Sequence, residues 1–225
     1  MQRGAPPALL VDHGPAWTLR WLEIHAGDRE MDWAPKSAKR LLSEELQKLT
    51  FGKCAFCESL LGVSTYAEAD HYVAKTVRPA QTFEWRNLFP ACRWCNRAKA
   101  DIDHAGMLLK PDVDDPENML WLHPDTGELQ PKLKIKPEAR RRVERTLDLC
   151  QLQRGSLCKK RIDKMEFTIR WLERFSGLHG GHDSALMDEW FYLIDPHTEY
   201  KFVIRHVFET RGAPQLAAKD RACFQ

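Results

Sequence analysis

The sequence predicts an α+β fold that is mostly helical, built around a small metal-stabilised core with helices on either side. Two C-x-x-C pairs, Cys54/Cys57 and Cys92/Cys95, bracket a segment that reads as short extended pieces. Outside this segment, apolar residues recur every three or four positions, which is typical of amphipathic helices. With 225 residues, the chain is long enough for one domain with appendages or for two small domains.

The composition is typical of a soluble globular protein, with 43% hydrophobic and 29% charged residues. The N-terminus has no uninterrupted apolar stretch of the kind found in secretory signals, and no apolar run is long enough to cross a membrane. A cytoplasmic location without a membrane partner is the default expectation. In that reducing compartment disulfides are not expected. Three of the seven cysteines lie outside the pairs and are interpreted as reduced thiols: Cys150, Cys158 and Cys223.

The N-terminal residues 1–36 are predicted to form an arm that precedes the core. Residues 1–20 are expected to be irregular, because Pro6 and Pro7 remove backbone donors. A helix is predicted over Ser37–Leu49, with its first residue as a candidate N-cap. This helix leads the chain into the first cysteine pair.

Residues 37–106 are predicted to form the metal-stabilised core. Within it, a strand is expected over 70–73 and a second short piece over 85–89, and a helix is expected to begin at Asn96. Residues 107–136 are expected to be an acidic loop with a hairpin that a glycine-terminated turn closes.

Residues 137–225 are predicted to be a helical region that docks a partner or nucleic acid. Proline suits the first position of its first helix. The segment 200–208 fits either a strand or a helix, and the last ten or so residues look loose. The further expected elements are a helix over 156–175, a flexible link over 178–182 and a helix over 185–194.

The charge distribution is uneven although the formal net charge is only +2. Residues 132–174 contain fourteen Lys and Arg against six Asp and Glu, whereas residues 101–128 contain eight acidic residues and one Lys. The basic stretch can hold backbone phosphates of nucleic acid. It can equally be two solvated helix faces or a partner-docking surface, and the sequence leaves these readings open.

The four cysteines of the two pairs form the strongest motif in the chain. Each C-x-x-C pair can present two thiolates to one ion, and structural zinc is usually held by four such ligands. Thirty-four residues separate Cys57 from Cys92, so the insert must be a folded unit and not a simple hairpin. The sequence therefore predicts a structural zinc ion bound by Cys54, Cys57, Cys92 and Cys95.

A second group of polar residues lies inside this frame and just after it. A neutral histidine such as His71 is a suitable base near neutral pH, and Asp70 and Asn96 offer oxygens to a hard divalent cation. Neighbouring residues of a flat strand point to opposite faces. Asp70 and His71 can therefore reach one spot only if the chain bends there, or if an ion lies at the strand edge. Taken singly, each of these residues can also have a purely structural role. Asn96, for instance, can cap a helix.

The order C-x-x-C, D-H, N-L, C-x-x-C-N-x-x-K resembles that of the HNH endonucleases, whose core is a small ββα-metal unit. This resemblance implies a DNA endonuclease in which His71 is the general base and Asn87 orients it. It also implies that Asp70 and Asn96 bind a catalytic Mg²⁺ or Mn²⁺ ion. The residues implied to contact nucleic acid are Arg97 and Lys99.

The flanking residues resemble the PtuB family, the HNH subunits of Septu-type and retron-associated anti-phage systems. The resemblance covers roughly residues 1–175 and implies a PtuA-like ATPase as partner. One departure is the stretch 71–75, where many relatives have a proline before the lysine. The matching segments are Gly4-x-Pro6, the run around Cys57-Glu58, the run from Cys95 to Asp101, Asp115-Pro116-Glu117, the Gly127 turn and Lys160-Arg161.

Two functions from different classes are consistent with these residues. The first is a metal-dependent endonuclease that acts as the effector of an anti-phage complex with an ATPase. The second is a zinc-stabilised module that binds nucleic acid or protein without catalysis. The intact set of Asp70, His71 and Asn96 favours the first, because a non-catalytic module would be expected to have lost at least one member.

Overall fold

A computed structural model describes residues 1, 3–27, 32–62, 67–99, 106–177 and 183–222. These residues form α-helices and two small antiparallel sheets, which confirms the predicted, mostly helical α+β class. The helices are α1 (Ala8–Ala26), α2 (Lys36–Lys48), α3 (Arg93–Lys99), α4 (Pro116–Met119), α5 (Pro137–Leu149), α6 (Gly155–Ser176), α7 (Ser184–Ile194), α8 (Lys201–Thr210) and α9 (Pro214–Ala222). The strands are β1 (Ala67–His71), β2 (Leu88–Cys92), β3 (Leu120–Leu122) and β4 (Leu129–Pro131).

The first sheet pairs a strand from the insert between the two C-x-x-C pairs with the strand that ends at Cys92. β1 and β2 are antiparallel, with Asp70 opposite Phe89 and His71 opposite Leu88. α3 follows β2 without a linker and contacts both strands, so two strands and one helix form one packed unit that carries the second cysteine pair. The strand predicted over 70–73 starts three residues earlier and ends two residues earlier, because the chain leaves the sheet after His71. The helix predicted to begin at Asn96 begins three residues earlier, at Arg93.

α2 packs against both strands of this sheet. Leu42 and Leu46 are completely buried, so the helix contributes one apolar face to the core, as its spacing predicted. The predicted N-cap is wrong: Pro35 occupies that position and Ser37 lies inside the first turn. Proline fits this helix start because the first N–H groups of a helix have no intrahelical partner.

The irregular arm predicted over residues 1–20 is wrong, since most of it belongs to α1. Pro7 is the N-cap of this helix, a position where a missing N–H breaks no helical hydrogen bond. Leu10, Trp21 and Ile24 of this helix are buried in an apolar cluster that also contains residues of α2 and β2. Packing of this apolar face, which no local signal reveals, outweighs the nearby prolines.

The second sheet is the predicted hairpin, formed by β3 and β4. Its turn contains Gly127 with φ +68°, and a Cβ atom there would lie 2.3 Å from the carbonyl oxygen of Cys158. Only glycine fits this close approach of the hairpin to α6. α5 then begins with Pro137 in its first turn, as predicted.

The C-terminal region is helical as predicted, and the open choice over 200–208 is decided in favour of helix α8. The expectation of a loose C-terminus is wrong for α9, because Leu216 and Ala217 are buried and Asp220 forms ion pairs with Lys201 and Arg205. The predicted link over 178–182, the segment 100–105 after α3 and residues 223–225 lie outside the described residues.

The largest apolar cluster includes all four paired cysteines together with residues of the hairpin and of α5, α6 and α8. The core around the cysteines is thus continuous with the C-terminal helices. The predicted domain boundaries remain a prediction. In the described ranges, no helix combines the length and apolar character needed to cross a bilayer.

Candidate functional site

The four cysteines of the two pairs lie together in the structure. All four are buried, and their sulfur atoms lie within 4.8 Å of one another. The Sγ atoms of Cys57 and Cys92 are 3.8 Å apart. A tetrahedral zinc ion with Zn–S bonds of about 2.3 Å requires sulfur–sulfur distances of about 3.8 Å. The cluster can therefore hold a metal ion such as zinc, and its donor set fits the predicted structural site.

Tight backbone turns bring each pair to this cluster. In the first pair, Glu58 adopts a left-handed conformation (φ 58°) and its N–H donates to the carbonyl of Cys54 at 3.0 Å. The N–H of Cys54 donates to the carbonyl of Ser59 at 2.9 Å. In the second pair, the N–H of Cys95 donates to the sulfur of Cys92 at 3.5 Å. Such N–H···S contacts stabilise the thiolate form that binds a metal.

Arg154 lies beside the cluster and was missed by the sequence reasoning. Its guanidinium nitrogens are 3.8 Å from the sulfur of Cys57 and 3.9 Å from that of Cys95. Four thiolates around one divalent ion carry a net charge of −2, so a cation at this distance offsets part of it. Hydrogen bonds from the other thiols, that of Cys54 first, hold the pKa of Cys57 well below its usual range. Arg154 directly precedes α6, and only the tertiary fold places it here.

A second cluster of polar residues surrounds a cavity of about 300 Å³ at the end of β1. Asp70 and His71 are the last two residues of β1, both line the cavity, and the chain bends at Tyr72 just after them. The bend lies after both residues, which are still paired with β2, so the choice between a bend and an ion at the strand edge stays open. The predicted site residues that line this cavity are Asp70, His71, Asn96, Arg97 and Lys99.

His71 is buried, and its Nε2 atom lies 3.0 Å from the carbonyl oxygen of Thr82. A carbonyl only accepts hydrogen bonds, so Nε2 carries the hydrogen and Nδ1 retains its lone pair. The ring also meets the indole of Trp33 edge-on, with centroids 4.8 Å apart. Burial, aided by the charge of Lys75, lowers the pKa of His71 to about 3. The imidazole is therefore neutral at neutral pH.

Thr82 and Trp33 were not found by the sequence reasoning. Thr82 acts through its backbone carbonyl, which any residue type could supply. Trp33 belongs to the stretch that was read as an arm, and its contact with His71 depends on how that stretch folds back. No local sequence signal identifies either residue.

Asp70 is only 1% exposed. Its Oδ1 atom lies 3.3 Å from the ammonium nitrogen of Lys99, whereas Oδ2 has no hydrogen-bond partner among the described residues. Burial raises the pKa of Asp70 to about 6, and the charge of Lys99 opposes this rise. A buried carboxylate oxygen without a donor is costly, and it is the ligand type that hard divalent cations prefer.

Asn96 lies on α3 and its Nδ2 donates to Oε2 of Glu68 at 2.6 Å. Because this bond uses the amide nitrogen, the amide oxygen is the atom suited to a cation. Glu68 was missed by the sequence reasoning, although it precedes Asp70 by two positions and such residues share one face of a strand. The acidic alternation Glu68-x-Asp70 was the signal that could have revealed it.

Asn87 does not line the cavity. Its Oδ1 accepts a hydrogen bond from the N–H of Val73 at 2.7 Å, and its Nδ2 donates to the carbonyls of Val73 and Gln81, both at 3.0 Å. These bonds join the segment that follows His71 to the segment that precedes Thr82. Any influence of Asn87 on the histidine therefore passes through the backbone.

The two residues expected to contact nucleic acid have different environments. Arg97 is exposed at the cavity. Lys99 is 2% exposed; its ammonium donates to the carbonyl of His71 and to that of Tyr72 at 3.3 Å, and it pairs with Asp70. A contact between Lys99 and nucleic acid would require it to leave these partners. The contact stays a prediction for both residues.

The fold and the cysteine cluster define a mostly helical α+β protein with a candidate metal centre. The chain is 36% identical over 120 residues to the Septu protein PtuB of Bacillus thuringiensis, covering 52% of this chain and 44% of that protein. It is 28% identical over 147 residues to the Septu protein PtuB of Bacillus mycoides (strain KBAB4), covering 52% and 48%.

The chain spans about half the length of the curated relatives it matches. These similarities support the predicted resemblance to the Septu protein PtuB, and they do not test the HNH assignment. No protein-family model matches the chain.

Proposed function

We propose that this protein is a metal-dependent endonuclease of the HNH type that hydrolyses phosphodiester bonds of DNA. The observation that carries the proposal is His71, a neutral imidazole whose Nε2 is bound to a backbone carbonyl and which lines a cavity with Asp70 and Asn96. This arrangement fixes one tautomer and leaves Nδ1 as the proton acceptor, as a general base requires.

The residues of the cavity fit a hard divalent cation. Asp70 has a buried oxygen without a donor among the described residues, and Asn96, whose amide nitrogen is bound to Glu68, lines the same cavity. These two residues would hold a Mg²⁺ or Mn²⁺ ion. When bound, such an ion would neutralise charge on the phosphate and on the leaving oxygen.

The other steps belong to the side chains of the chain itself. His71 accepts a proton from the attacking water at Nδ1, while the carbonyl of Thr82 keeps the ring in its orientation. The basic side chains of Lys75 and Arg97 at the cavity attract the phosphate. An anionic substrate also favours the protonated imidazole, which raises the pKa of His71 from its low value and makes it a stronger base in the complex.

The biological setting of the proposal rests on the similarity to the Septu protein PtuB. By this analogy the chain is the nuclease of an anti-phage defence complex and works with a PtuA-like ATPase. Part of the basic excess over 132–174 is used inside the fold, since Arg142 pairs with Asp114 and Arg161 donates to the carbonyl of Gly127. The exposed remainder is the surface available to DNA or to the partner.

A second candidate function is a non-catalytic, zinc-stabilised module that binds nucleic acid or protein. One observation favours it: the ammonium of Lys99 already lies beside Asp70 and neutralises part of the charge that a cation would need. Against this reading, the second oxygen of Asp70 remains without a donor among the described residues.

Cleavage of supercoiled plasmid with Mg²⁺ or Mn²⁺ tests the proposal, with wild type compared with His71→Ala. We expect nicking by the wild type and a loss of at least about 100-fold in the variant, the lower range for removal of a general base. Zinc content should be unchanged in both. Equal cleavage by both proteins would refute the role of His71. If neither cleaves, the assay is repeated with the ATPase and nucleotide, and continued inactivity would favour the binding module.

A further inference from the structure

We infer that Trp94 stacks on an unpaired base of a nucleic acid strand, next to the phosphodiester bond at the His71 cavity. The inference rests on the proposed function and adds a substrate preference to it, for single-stranded or locally unpaired DNA.

The first observation is the exposure of Trp94. All eight tryptophans lie in the described part of the chain, and Trp94 is the most exposed of them, with 67% of its surface accessible. Cys95, which follows it, and Cys92, two positions before it, are buried in the cysteine cluster. The indole is thus carried at the surface by the first turn of α3, beside two buried cysteines.

The second observation is the charge around the indole. Arg93 and Arg97 are exposed on the same short helix, and α3 carries no acidic residue. Within the described ranges, neither arginine forms an ion pair with a carboxylate, and the indole of Trp94 has no hydrogen bond or ring contact. An aromatic ring between two cations is the arrangement with which proteins hold single strands, since bases stack on the ring and phosphates contact the cations.

The third observation is the distance from the cavity. Arg97 lines the cavity and follows Trp94 by three positions, so the two side chains are neighbours on the helix surface, about 5–6 Å apart at their Cβ atoms. This separation corresponds to between one and two base steps of about 3.4 Å along a strand. A strand whose phosphate enters the cavity therefore brings an adjacent base to Trp94.

The chemistry of the surface favours an unpaired base over other occupants. In a duplex the bases already stack on each other, and stacking on a protein side chain requires that one be displaced at a cost. A second copy of this chain is disfavoured, because a two-fold contact through Trp94 would bring the arginines of both copies together.

The test compares binding of fluorescent single-stranded DNA and of the matching duplex, measured by anisotropy with the full chain and without added divalent ion. Trp94→Ala should weaken single-strand binding by about 5- to 150-fold, the range expected for loss of one stacking partner, while Trp94→Phe should retain most of it. Duplex binding should change by less than twofold. Phe191→Ala is the matched control, since Phe191 is 60% exposed on α7 and belongs to a different part of the fold.

A walk of 2-aminopurine along the single strand gives an independent readout. We expect the fluorescence of 2-aminopurine to be quenched at one position of the strand. This quenching should disappear in Trp94→Ala and remain in Phe191→Ala. The inference would be overturned if Trp94→Ala lost single-strand and duplex binding equally, lost neither, or changed its oligomeric state. It would also be overturned if the wild type did not bind single-stranded DNA. Plasmid cleavage by His71→Ala tests the proposed function separately, so the two can fail independently.

Discussion

Replacing Asn87 with alanine should destabilise the protein strongly, although Asn87 does not line the cavity. Its side chain makes three hydrogen bonds to the backbone of Val73 and Gln81. Each of the three backbone groups that loses its partner costs about 1–3 kcal/mol, toward the lower end where water replaces the side chain. Asn87→Ala should therefore lower the free energy of unfolding by about 3–5 kcal/mol, a large share of the about 5–15 kcal/mol of a typical domain.

The replacement Asn87→Asp separates hydrogen bonding from size. The new carboxylate can still accept from the N–H of Val73, but its second oxygen faces two carbonyls that need a donor. At neutral pH we expect the free energy of unfolding to fall at least as much as in Asn87→Ala. The loss should shrink as the pH falls and the carboxylate becomes protonated, because the acid regains one donor.

Urea denaturation, with zinc content measured on the same samples, provides the assay. Asn118→Ala is the matched control, because the Asn118 amide makes one exposed hydrogen bond to Asp115 at 2.7 Å. This replacement should change the free energy of unfolding by no more than about 0.5 kcal/mol. If Asn87→Ala were as stable as Asn118→Ala, the idea that Asn87 holds the backbone around His71 would be refuted.

Three further predictions concern the cysteine cluster and two buried lysines. Cys92→Ser should abolish stoichiometric zinc binding and the cooperative unfolding transition, because structural zinc contributes folding free energy directly; Cys158→Ser, outside the cluster, should leave metal analysis and unfolding nearly unchanged. Lys99→Met should lower the free energy of unfolding by about 3–5 kcal/mol in urea denaturation, since it leaves the buried carboxylate of Asp70 without its cation. Burial lowers the pKa of Lys53 to about 8 in the folded protein, whereas an unfolded lysine keeps its proton to higher pH. Between pH 8 and 10 the unfolded chain therefore binds more protons than the folded chain. The free energy of unfolding should rise with pH over this range in wild type and not in Lys53→Met.

The outcomes that would contradict these three predictions are distinct. Retention of zinc by Cys92→Ser would remove that residue from the ligand set. A Lys99→Met protein as stable as wild type would mean that Asp70 is neutral or solvated in the folded state. For Lys53, parallel pH profiles of variant and wild type would show that its ammonium is not disfavoured by burial.

The sequence located most of the candidate site because the information there is local. Cys54, Cys57, Cys92 and Cys95 were predicted as one cluster from spacing alone, and their sulfurs do lie together. The hairpin was also found correctly, because glycine and proline positions and alternating apolar residues are properties of short segments. The roles of the candidate site residues in metal binding and catalysis remain predictions.

Residues that act from a distance escaped the sequence reasoning. Arg154 reaches the cysteine cluster from the start of α6, and Trp33 and the carbonyl of Thr82 meet His71 only after the chain folds. α1 was missed for a similar reason, since its stability comes from an apolar face buried against other elements and not from its own propensity.

The sequence by itself determined which chemical groups this protein can offer: four thiolates in two pairs, and an aspartate, a histidine and an asparagine at fixed places between and after them. The tertiary structure decided what surrounds each group. It buried His71 against a carbonyl that fixes its tautomer, left one oxygen of Asp70 without a donor, and turned Lys99 inward while Trp94 stayed exposed. Tautomer, pKa and exposure depend on neighbours that are distant in the chain, so the reactivity of these groups is set by the packed fold and not by the motif.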